Sequence, residues 1–428
     1  MRGRFRLILV LLAGVLVGST LTLAVQSRGA QADRRSDAGA RPARSHPLRM
    51  FLAWVPGGLP EGFGRQAAGL ANIQGVTTVA EDNVWLRRSW SSYGAVVDAP
   101  RPPFAIPIDA TGVDPESFRM FLSPADRGVA ADLAQGEGVL GATSARLRGL
   151  GPGSLLEFTT GVRVRIAAVL PDELVGASEL LVSRRTGDAI GIHKDRYLFL
   201  QLRPGTHLSS GAMATSLQGL LPPSLGIGRR VRVRVPGDTP YLRAGDAVMP
   251  PVLIKSLFGE FAARPVPGNP GYLQIQRSWV RTHLATASLP LLGSVTCNRA
   301  IIPQLRGAMD ELRRRGLGSL VKSDDGCFAP RFINRDPSAM ISHHAWGVAI
   351  DLNAATNVYG TPPHQDPRLV RVMERWGFTW GGNFIVPDGN HFEYRRSPAG
   401  DLKREPGGTP PRTATAHTAR PRHPDRTN

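Results

Sequence analysis

Hydrophobic positions near the start of the chain form one long uncharged run, from Leu7 to Val25, directly after three arginines. A run of this length can cross most of a bilayer core as a helix, and the positive-inside rule places everything after residue 26 outside the cytoplasm. The pattern predicts a signal-anchor helix over residues 1–26. Ala30-Gln31-Ala32 keeps a cleaved signal peptide open as the alternative.

Residues 27–47 lack hydrophobic periodicity, which predicts a flexible linker. Short apolar or alternating runs then predict strands at residues 75–80, 162–170, 197–200 and 231–235, with short helices at 60–71 and 117–121. No group of titratable residues in this stretch has the spacing expected of a catalytic site. We therefore expect residues 48–248 to form a non-catalytic α+β module that positions or recognises something.

Two amphipathic helices are predicted further along the chain. The first begins near Pro303, repeats apolar residues from Leu305 to Leu312 at helical spacing and ends at Gly316. The second has Asp366 as its N-cap and Pro367 at its first position. Residues 398–428 are rich in Pro, Thr and Arg, which predicts a disordered basic tail.

Length and charge narrow the function classes. A chain of 428 residues with two cysteines fits two folded domains, and excludes a small disulfide scaffold, a collagen and a polytopic transporter. The formal charge is +18, but residues 1–47 hold eight arginines against two aspartates, and residues 401–428 hold six basic against three acidic groups. Because no predicted element concentrates basic and aromatic residues, we expect no nucleic-acid partner.

Candidate chemistry is confined to residues 342–351 and 387–394. Strand alternation predicts that Asp351 and His391 face the same side of two adjacent strands, with Glu393 on that face. His343 is expected to face outward. His344 adds a second imidazole, and Zn²⁺ accepts two imidazoles and one carboxylate in an open catalytic site. The small residues Gly347 and Ala349 are expected to leave room for metal and substrate.

These segments resemble the zinc D-alanyl-D-alanine carboxypeptidases and L-alanyl-D-glutamate endopeptidases of bacterial cell-wall metabolism. Both family motifs are complete: S-x-H-x-x-G-x-A-x-D in residues 342–351 and D-x-x-H-F-E in residues 388–393. The similarity covers roughly residues 250–396. It implies zinc ligands His344, Asp351 and His391, a general base at Asp388 and a substrate-binding arginine at Arg331. One departure is Gly389, where related metallopeptidases often carry a histidine.

Several roles stay open at this point. Glu393 is either a rival catalytic carboxylate or a residue that orients an imidazole. Ser342 is expected to hydrogen-bond structure or substrate, because no triad surrounds it. The only cysteines, Cys297 and Cys327, fall in one predicted exported domain, so they form either a disulfide or two buried thiols.

The resemblance implies a zinc-dependent D-alanyl-D-alanine carboxypeptidase that acts on peptidoglycan stem peptides, through metal-activated water and a carboxylate general base. An L-Ala-D-Glu endopeptidase, a D,D-dipeptidase and a non-enzymatic zinc-stabilised cell-wall binding module are the alternatives. The N-terminal helix would hold the protein on the cytoplasmic membrane as a single-pass protein with its catalytic domain outside. Secretion after signal cleavage is the alternative.

The expected fold class is α+β, with two extracytoplasmic domains after one membrane segment. The second domain, residues 249–397, is expected to carry a small antiparallel sheet flanked by helices. A further, limited resemblance covers about 60 residues, from Gly138-Val139-Leu140-Gly141 through Leu150-Gly151-Pro152-Gly153-Ser154 to the strand at 162–170. This stretch resembles the extracellular core domain of macrolide-exporter-type permeases.

Overall fold

A computed structural model describes residues 50–223, 229–239, 241–245 and 249–395. The predicted signal-anchor helix, the linker of residues 27–47 and the basic tail lie outside the described residues. Within the described ranges, no helix is both long enough and apolar enough to span a membrane. We call residues 50–245 the sheet part and residues 249–395 the C-terminal part; the described residues of both belong to one compact unit.

The sheet part is built on a nine-stranded mixed sheet in the order β3-β7-β4-β6-β5-β2-β8-β1-β9. Its strands are β1 (Met50–Trp54), β2 (Ile73–Trp90), β3 (Ile106–Val113), β4 (Gly138–Gly141), β5 (Leu155–Phe158), β6 (Arg163–Leu170), β7 (Leu180–Ser183), β8 (Asp195–Leu202) and β9 (Arg232–Arg234). Its helices are α1 (Phe63–Ala68), α2 (Pro115–Phe118), α3 (Val129–Ala134), α4 (Ala142–Arg148), α5 (Arg184–Ile190) and α6 (Ser210–Gln218).

Strand β2 is long enough to pair in succession with three other strands. Its first half pairs with β8, its middle with β3 and its last residues with β5. Because β3 and β5 are also linked through β7, β4 and β6, these six strands close into a ring, and β8, β1 and β9 continue from β2 as an extension. Buried side chains such as Leu86, Phe158 and Ile166 fill one core cluster of these strands.

The four predicted strands coincide with the first half of β2 and with β6, β8 and β9, whereas β1, β3, β4, β5 and β7 were not predicted. Strand β6 alternates as its sequence does, with Val164 and Ile166 buried and both neighbouring arginines exposed. The helix predicted at 60–71 is shorter, because Gly62 adopts a left-handed conformation before α1 and Gly69 follows its last turn. The helix predicted at 117–121 begins earlier, at Pro115, where the Asp114 carboxylate accepts a hydrogen bond from the Ser117 amide.

The C-terminal part contains two β-hairpins, a three-stranded antiparallel sheet and four α-helices. Its strands are β10 (Ala263–Val266), β11 (Asn269–Ile275), β12 (Leu284–Leu289), β13 (Gly293–Asn298), β14 (Ala349–Asp351), β15 (Phe378–Trp380) and β16 (His391–Tyr394). Its α-helices are α7 (Pro251–Phe258), α8 (Arg277–His283), α9 (Ile302–Arg314) and α10 (Pro367–Arg375). The short sheet has the order β14-β16-β15.

Both predicted amphipathic helices are confirmed. Helix α9 buries Leu305, Ala308, Met309 and Leu312. Helix α10 is capped by the Asp366 carboxylate and opened by Pro367. The two helices contact each other closely where Gly307 faces Trp376, since a Cβ atom at Gly307 would lie 2.2 Å from the indole ring.

Buried ion pairs connect the sheet part to the C-terminal part. Lys255 of α7 donates to Glu179 at 2.7 Å, and Arg148 of α4 bonds Glu179 at 2.8 Å and also Glu260. All but Glu260 are almost completely buried. A charge buried without its partner is costly, so these pairs hold the two parts in one arrangement. The predicted domain boundary near residue 248 stays a prediction.

Candidate metal centre

His344 is positioned by a single 3₁₀ turn, His343–Trp346, that Ser342 opens and Gly347 closes. The Ser342 hydroxyl accepts a hydrogen bond from the His344 amide at 3.4 Å. The His344 Nδ1 atom lies 3.0 Å from the Cys327 carbonyl oxygen, which fixes Nδ1 as the protonated nitrogen. The Nε2 atom of His344 is therefore left with its lone pair free.

Gly347 has a different role from the one expected. It adopts φ 67°, outside the strand, and a Cβ atom there would lie 2.9 Å from the Asn298 amide nitrogen. Gly347 thus allows the left-handed turn after His344 and the close approach of strand β13. The prediction that it makes room for metal and substrate was wrong; the strand begins only at Ala349.

Asp351 and His391 are directly opposite each other in the antiparallel pair β14 and β16. Their side chains meet, with 2.9 Å between His391 Nδ1 and Asp351 Oδ1. The other ring nitrogen, His391 Nε2, lies 3.2 Å from the Glu393 carboxylate. Glu393 therefore accepts a hydrogen bond from Nε2 and leaves Nδ1 of His391 facing Asp351 and His344.

Three ligand atoms converge at one point. His344 Nε2 is 3.2 Å from Asp351 Oδ1 and 3.3 Å from His391 Nδ1. A tetrahedral zinc ion with ligand distances near 2.0 to 2.1 Å separates its ligand atoms by about 3.3 Å. The 2.9 to 3.3 Å separations here are close to that spacing, and the three residues form a possible metal site.

Electrostatics also favour a cation at this point. Burial alone would raise the pKa of Asp351, but the adjoining imidazoles of His344 and His391 hold it well below its usual range. Burial alone would lower the pKa of His391, but its hydrogen bonds to Asp351 and Glu393 raise it to about 10. The group thus carries excess negative charge that a proton or a metal ion neutralises. A zinc ion fits both the donor atoms and this charge.

Glu393 is buried beneath the ligands. Its carboxylate lies 2.5 Å from His343 Nδ1 and accepts a hydrogen bond from Arg395 Nε at 2.5 Å, in addition to its contact with His391. Despite burial, which raises it, the neighbouring His343 lowers the pKa of Glu393 well below its ordinary value. A carboxylate with this many donors is an ionised support for His391.

His343 was expected to face outward, and the structure contradicts this. Its side chain is only 13% exposed because the 3₁₀ turn directs it to Glu393. His343 and Arg395 are both absent from the predicted site. Arg395 directly follows β16, at alternate spacing from Glu393, which was a usable sequence indication.

Asp388 lies in the turn before β16 and lines the same cleft as the ligands. Its amide donates to the Gly381 carbonyl at 2.9 Å, and a Cβ atom at Gly381 would lie 2.7 Å from the Asp388 carbonyl oxygen. Its Oδ1 atom is buried and has no hydrogen-bond partner among the described residues. Burial raises the pKa of Asp388, with Asp351 adding to the effect and His391 opposing it.

The cleft has a volume of about 470 Å³. Arg331 lines it, with its guanidinium 4.0 Å from Asp351 Oδ2 and hydrogen-bonded to no residue in the described ranges. Ser342 lines it too, although its hydroxyl is engaged with the His344 amide. The sheet part supplies the facing wall through Trp54, Gly57, Gly58, Glu81, Arg196 and Arg243, which the sequence did not predict.

Gly389 has no space for a side chain. A Cβ atom there would lie 2.8 Å from Pro363 Cβ and 3.0 Å from Asn357 Oδ1. The histidine that related enzymes often carry at this place is therefore excluded by the loop before α10.

A disulfide joins Cys297 at the end of β13 to Cys327. The carbonyl group of Cys327 is also the one that accepts from His344. The crosslink thus holds the segment that orients the first ligand.

Comparison with known proteins adds one family. Residues 335–394 match the family model described as D-alanyl-D-alanine carboxypeptidase. This segment is of the peptidase type. It contains His344, Asp351, His391, Asp388 and Glu393, whereas Arg331 and both cysteines lie before it. Peptidases of this kind are zinc-dependent, in agreement with the possible His-Asp-His site.

Three solved structures are similar to part of the chain. The periplasmic region of MacB from Actinobacillus actinomycetemcomitans shares 16% identity at a TM-score of 0.30, covering 46% of this chain and 92% of that one. The extracellular domain of the noncanonic ABC-type transporter YknZ from Gram-positive bacteria shares 13% identity at a TM-score of 0.29, and the match covers 43% of this chain and 99% of that one. A domain of a putative permease protein from Porphyromonas gingivalis shares 11% identity at a TM-score of 0.27, and the match covers 44% of this chain and 90% of that one.

They are proteins of the kind to which residues 138–170 were compared, but at these TM-scores the matches carry no argument about fold or function. No curated protein sequence matches the chain.

Proposed function

We propose that the protein is a zinc-dependent D-alanyl-D-alanine carboxypeptidase of peptidoglycan stem peptides. One observation carries the proposal: three free ligand atoms converge in a cleft that also holds the buried, unpartnered carboxylate oxygen of Asp388. The family match over residues 335–394 supports the same reaction type. A purely zinc-stabilised binding module would gain nothing from an unpartnered buried carboxylate, which costs free energy.

His344, Asp351 and His391 would hold the zinc ion through Nε2, Oδ1 and Nδ1 respectively. Bound zinc acts as a Lewis acid that polarises a peptide carbonyl group and lowers the pKa of a water molecule to about 7. The Cys327 carbonyl group and Glu393 each accept a hydrogen bond from the second ring nitrogen of one histidine. They thereby fix the ligand tautomers before substrate arrives.

Asp388 would act as the general base. Its free Oδ1 atom accepts a proton from the attacking water as the new carbon–oxygen bond forms. The same carboxyl group then donates that proton to the leaving amine of the terminal D-alanine as the carbon–nitrogen bond breaks. A raised pKa suits both steps, because the carboxyl group must hold the proton between them.

Arg331 would select the substrate end. Its guanidinium lines the cleft near Asp351 and has no hydrogen-bond partner among the described residues, so it is available for a substrate carboxylate. A free C-terminal D-alanine presents such a carboxylate next to the scissile bond, and the planar fork of arginine binds it through two hydrogen bonds.

We further propose that the protein works outside the cytoplasm. The Cys297–Cys327 disulfide supports this, because such bonds persist mainly in oxidising compartments. The predicted N-terminal helix would hold the protein on the cytoplasmic membrane. The folded region would then consist of a non-catalytic module and a peptidase domain, both of α+β class.

The test is mass spectrometry of muropeptides after incubation with the zinc-loaded full chain. Loss of one alanine from pentapeptide stems, abolished in Asp388→Asn, is the expected result. Cleavage between L-alanine and D-glutamate instead would favour the endopeptidase alternative. Intact muropeptides together with stoichiometric zinc would favour the binding module.

A further inference from the structure

One loop forms the rim of the cleft between the proposed substrate arginine and the first metal ligand. We call residues 332–341 the cleft loop. It leaves the cleft wall after Arg331 and returns at Ser342, where the Ser342 amide donates to the Arg331 carbonyl at 3.0 Å. Ile333, Asn334, Arg335, Met340 and Ile341 of this loop line the cleft.

The cleft loop has an unfavourable backbone at its turn. Asn334 and Arg335 adopt consecutive φ values of 55° and 57°, in the left-handed region that residues with a side chain rarely occupy. Hydrogen bonds within the loop are short-range, such as the Ile333 amide to the Met340 carbonyl at 2.9 Å. A turn of this kind persists only where contacts from outside hold it.

Contacts from outside the loop come from both parts of the fold. In the C-terminal part, Arg335 Nε donates to the Tyr272 hydroxyl at 2.5 Å and the Phe332 amide donates to the Gly271 carbonyl at 3.0 Å.

The sheet part supplies three further donors. The Asn83 side-chain amide donates to the Ala339 carbonyl at 3.1 Å, and the Arg196 guanidinium donates to the Ser338 carbonyl at 2.5 Å. Lys194 adds a hydrogen bond to the Ser338 hydroxyl at 3.1 Å. All three donors belong to β2, β8 or the residue before β8.

Arg196 is itself held in place. It donates to Asp82 at 3.1 Å and to the Glu81 carbonyl at 2.9 Å, and its side chain is only 15% exposed. Arg196 also lines the cleft, so it contacts the cleft loop and the substrate space together. A buried arginine with fixed partners loses little conformational entropy when it binds a carbonyl group.

We propose that Asn83 and Arg196 are positioning residues for substrate binding: they hold the cleft loop from the sheet part and thereby place Arg331. The proposal rests on the proposed function for its effect on substrate. His344 depends less on this loop, because Cys327 and the Asn298 region fix it separately. Loosening the loop should therefore weaken substrate binding and leave the zinc site intact.

The first measurement is hydrogen exchange of the zinc-loaded full chain, read by mass spectrometry over residues 332–342. Arg196→Met and Asn83→Ala should each raise the exchange rate there by about five- to tenfold, the effect of losing one or two hydrogen bonds. Arg184→Met is the matched control: this arginine of α5 pairs with Asp188 of the same helix and with Asp195 of β8, and no hydrogen bond joins it to the cleft loop.

The second measurement separates positioning from general stability. For a pentapeptide with a free C-terminus, both variants should raise KM by about three- to tenfold with kcat within about twofold of wild type. Arg196→Lys should restore part of the affinity, since the lysine ammonium group can still donate to the Ser338 carbonyl. Zinc stoichiometry should be unchanged throughout.

Unchanged exchange in both variants overturns the proposal, as does raised exchange with an unchanged KM. If Arg196→Met fails to fold, Asn83→Ala decides, since it removes only an amide. If wild type cleaves no stem peptide, the proposed function fails separately, and the exchange data still decide whether the sheet part holds the loop.

Discussion

Two carboxylates near the metal site should respond differently when each is changed to its amide. Asp388→Asn preserves shape but removes the atom that accepts a proton. Because Asp388 Oδ1 has no partner among the described residues, the substitution breaks no support of the ligands. Zinc affinity should stay within about twofold of wild type, while kcat should fall by about 10² to 10⁴, or about 2.7 to 5.5 kcal/mol in the barrier.

Glu393→Gln should act on the metal instead. Glu393 accepts from His391 Nε2, from His343 and from Arg395, and an amide replaces one of its two acceptor oxygens by a donor. Loss of this support for His391 should weaken zinc binding by about 10- to 100-fold, or about 1.4 to 2.7 kcal/mol. At saturating zinc, turnover should return to within about tenfold of wild type.

The assay titrates zinc against a chromophoric chelator and measures D-alanine release at each zinc concentration. Glu374→Gln on the exposed face of α10 is the control for a general loss of carboxylate charge. Our assignment is refuted if Glu393→Gln at saturating zinc is as inactive as Asp388→Asn. Loss of zinc from Asp388→Asn would also refute it.

Three further predictions address other parts of the chain. Arg331→Ala should slow cleavage of a free-acid peptide by about ten- to a hundredfold but leave the C-terminally amidated peptide nearly unchanged, as steady-state kinetics on both peptides would show. Gly389→Ala should cost about 1 to 3 kcal/mol and lower Tm, whereas Gly151→Ala, with nothing within 4 Å, should not. Burial raises the pKa of Asp109 to about 7, although the charge of Arg243 opposes this shift. Between about pH 4 and pH 7 the folded state therefore keeps a proton on Asp109 that the unfolded state has lost. The contribution of Asp109 to stability should therefore be greatest below about pH 4 and decrease up to about pH 7, and Asp109→Asn should flatten that slope in urea unfolding.

The candidate metal site was largely predictable from the sequence because its geometry is local. Asp351 and His391 each have a position on a short strand, and antiparallel pairing places them opposite each other. The buried apolar faces of α9 and α10 were predictable for the same reason, since the spacing of apolar residues and the capping residues define them within one segment. The expected outward direction of His343 was wrong because this residue lies in a 3₁₀ turn, where no simple alternation rule gives the direction of a side chain.

The hairpins β10–β11 and β12–β13 were missed for a compositional reason. The segments Leu284–Leu289 and Gly293–Asn298 are rich in Ala, Ser, Thr and Gly and bury only some of their side chains, so they lack the apolar alternation that predicts a strand. In the second hairpin Ala285 lies opposite Cys297. The disulfide from Cys297 to Cys327 then joins this hairpin to the segment that orients His344.

The wall of the cleft contributed by the sheet part could not be predicted at all, because it depends on contacts across most of the chain. Asn83 meets Ala339 and Arg196 meets Ser338, and neither pair shares a motif or a spacing. Such contacts need the relative placement of the sheet part and the C-terminal part, which the buried pairs of Lys255 and Arg148 with Glu179 fix. A single substitution that unpairs Glu179 should therefore disturb the cleft from a distance, and it should do so through the cleft loop before the metal ligands, whose own supports lie within the C-terminal part.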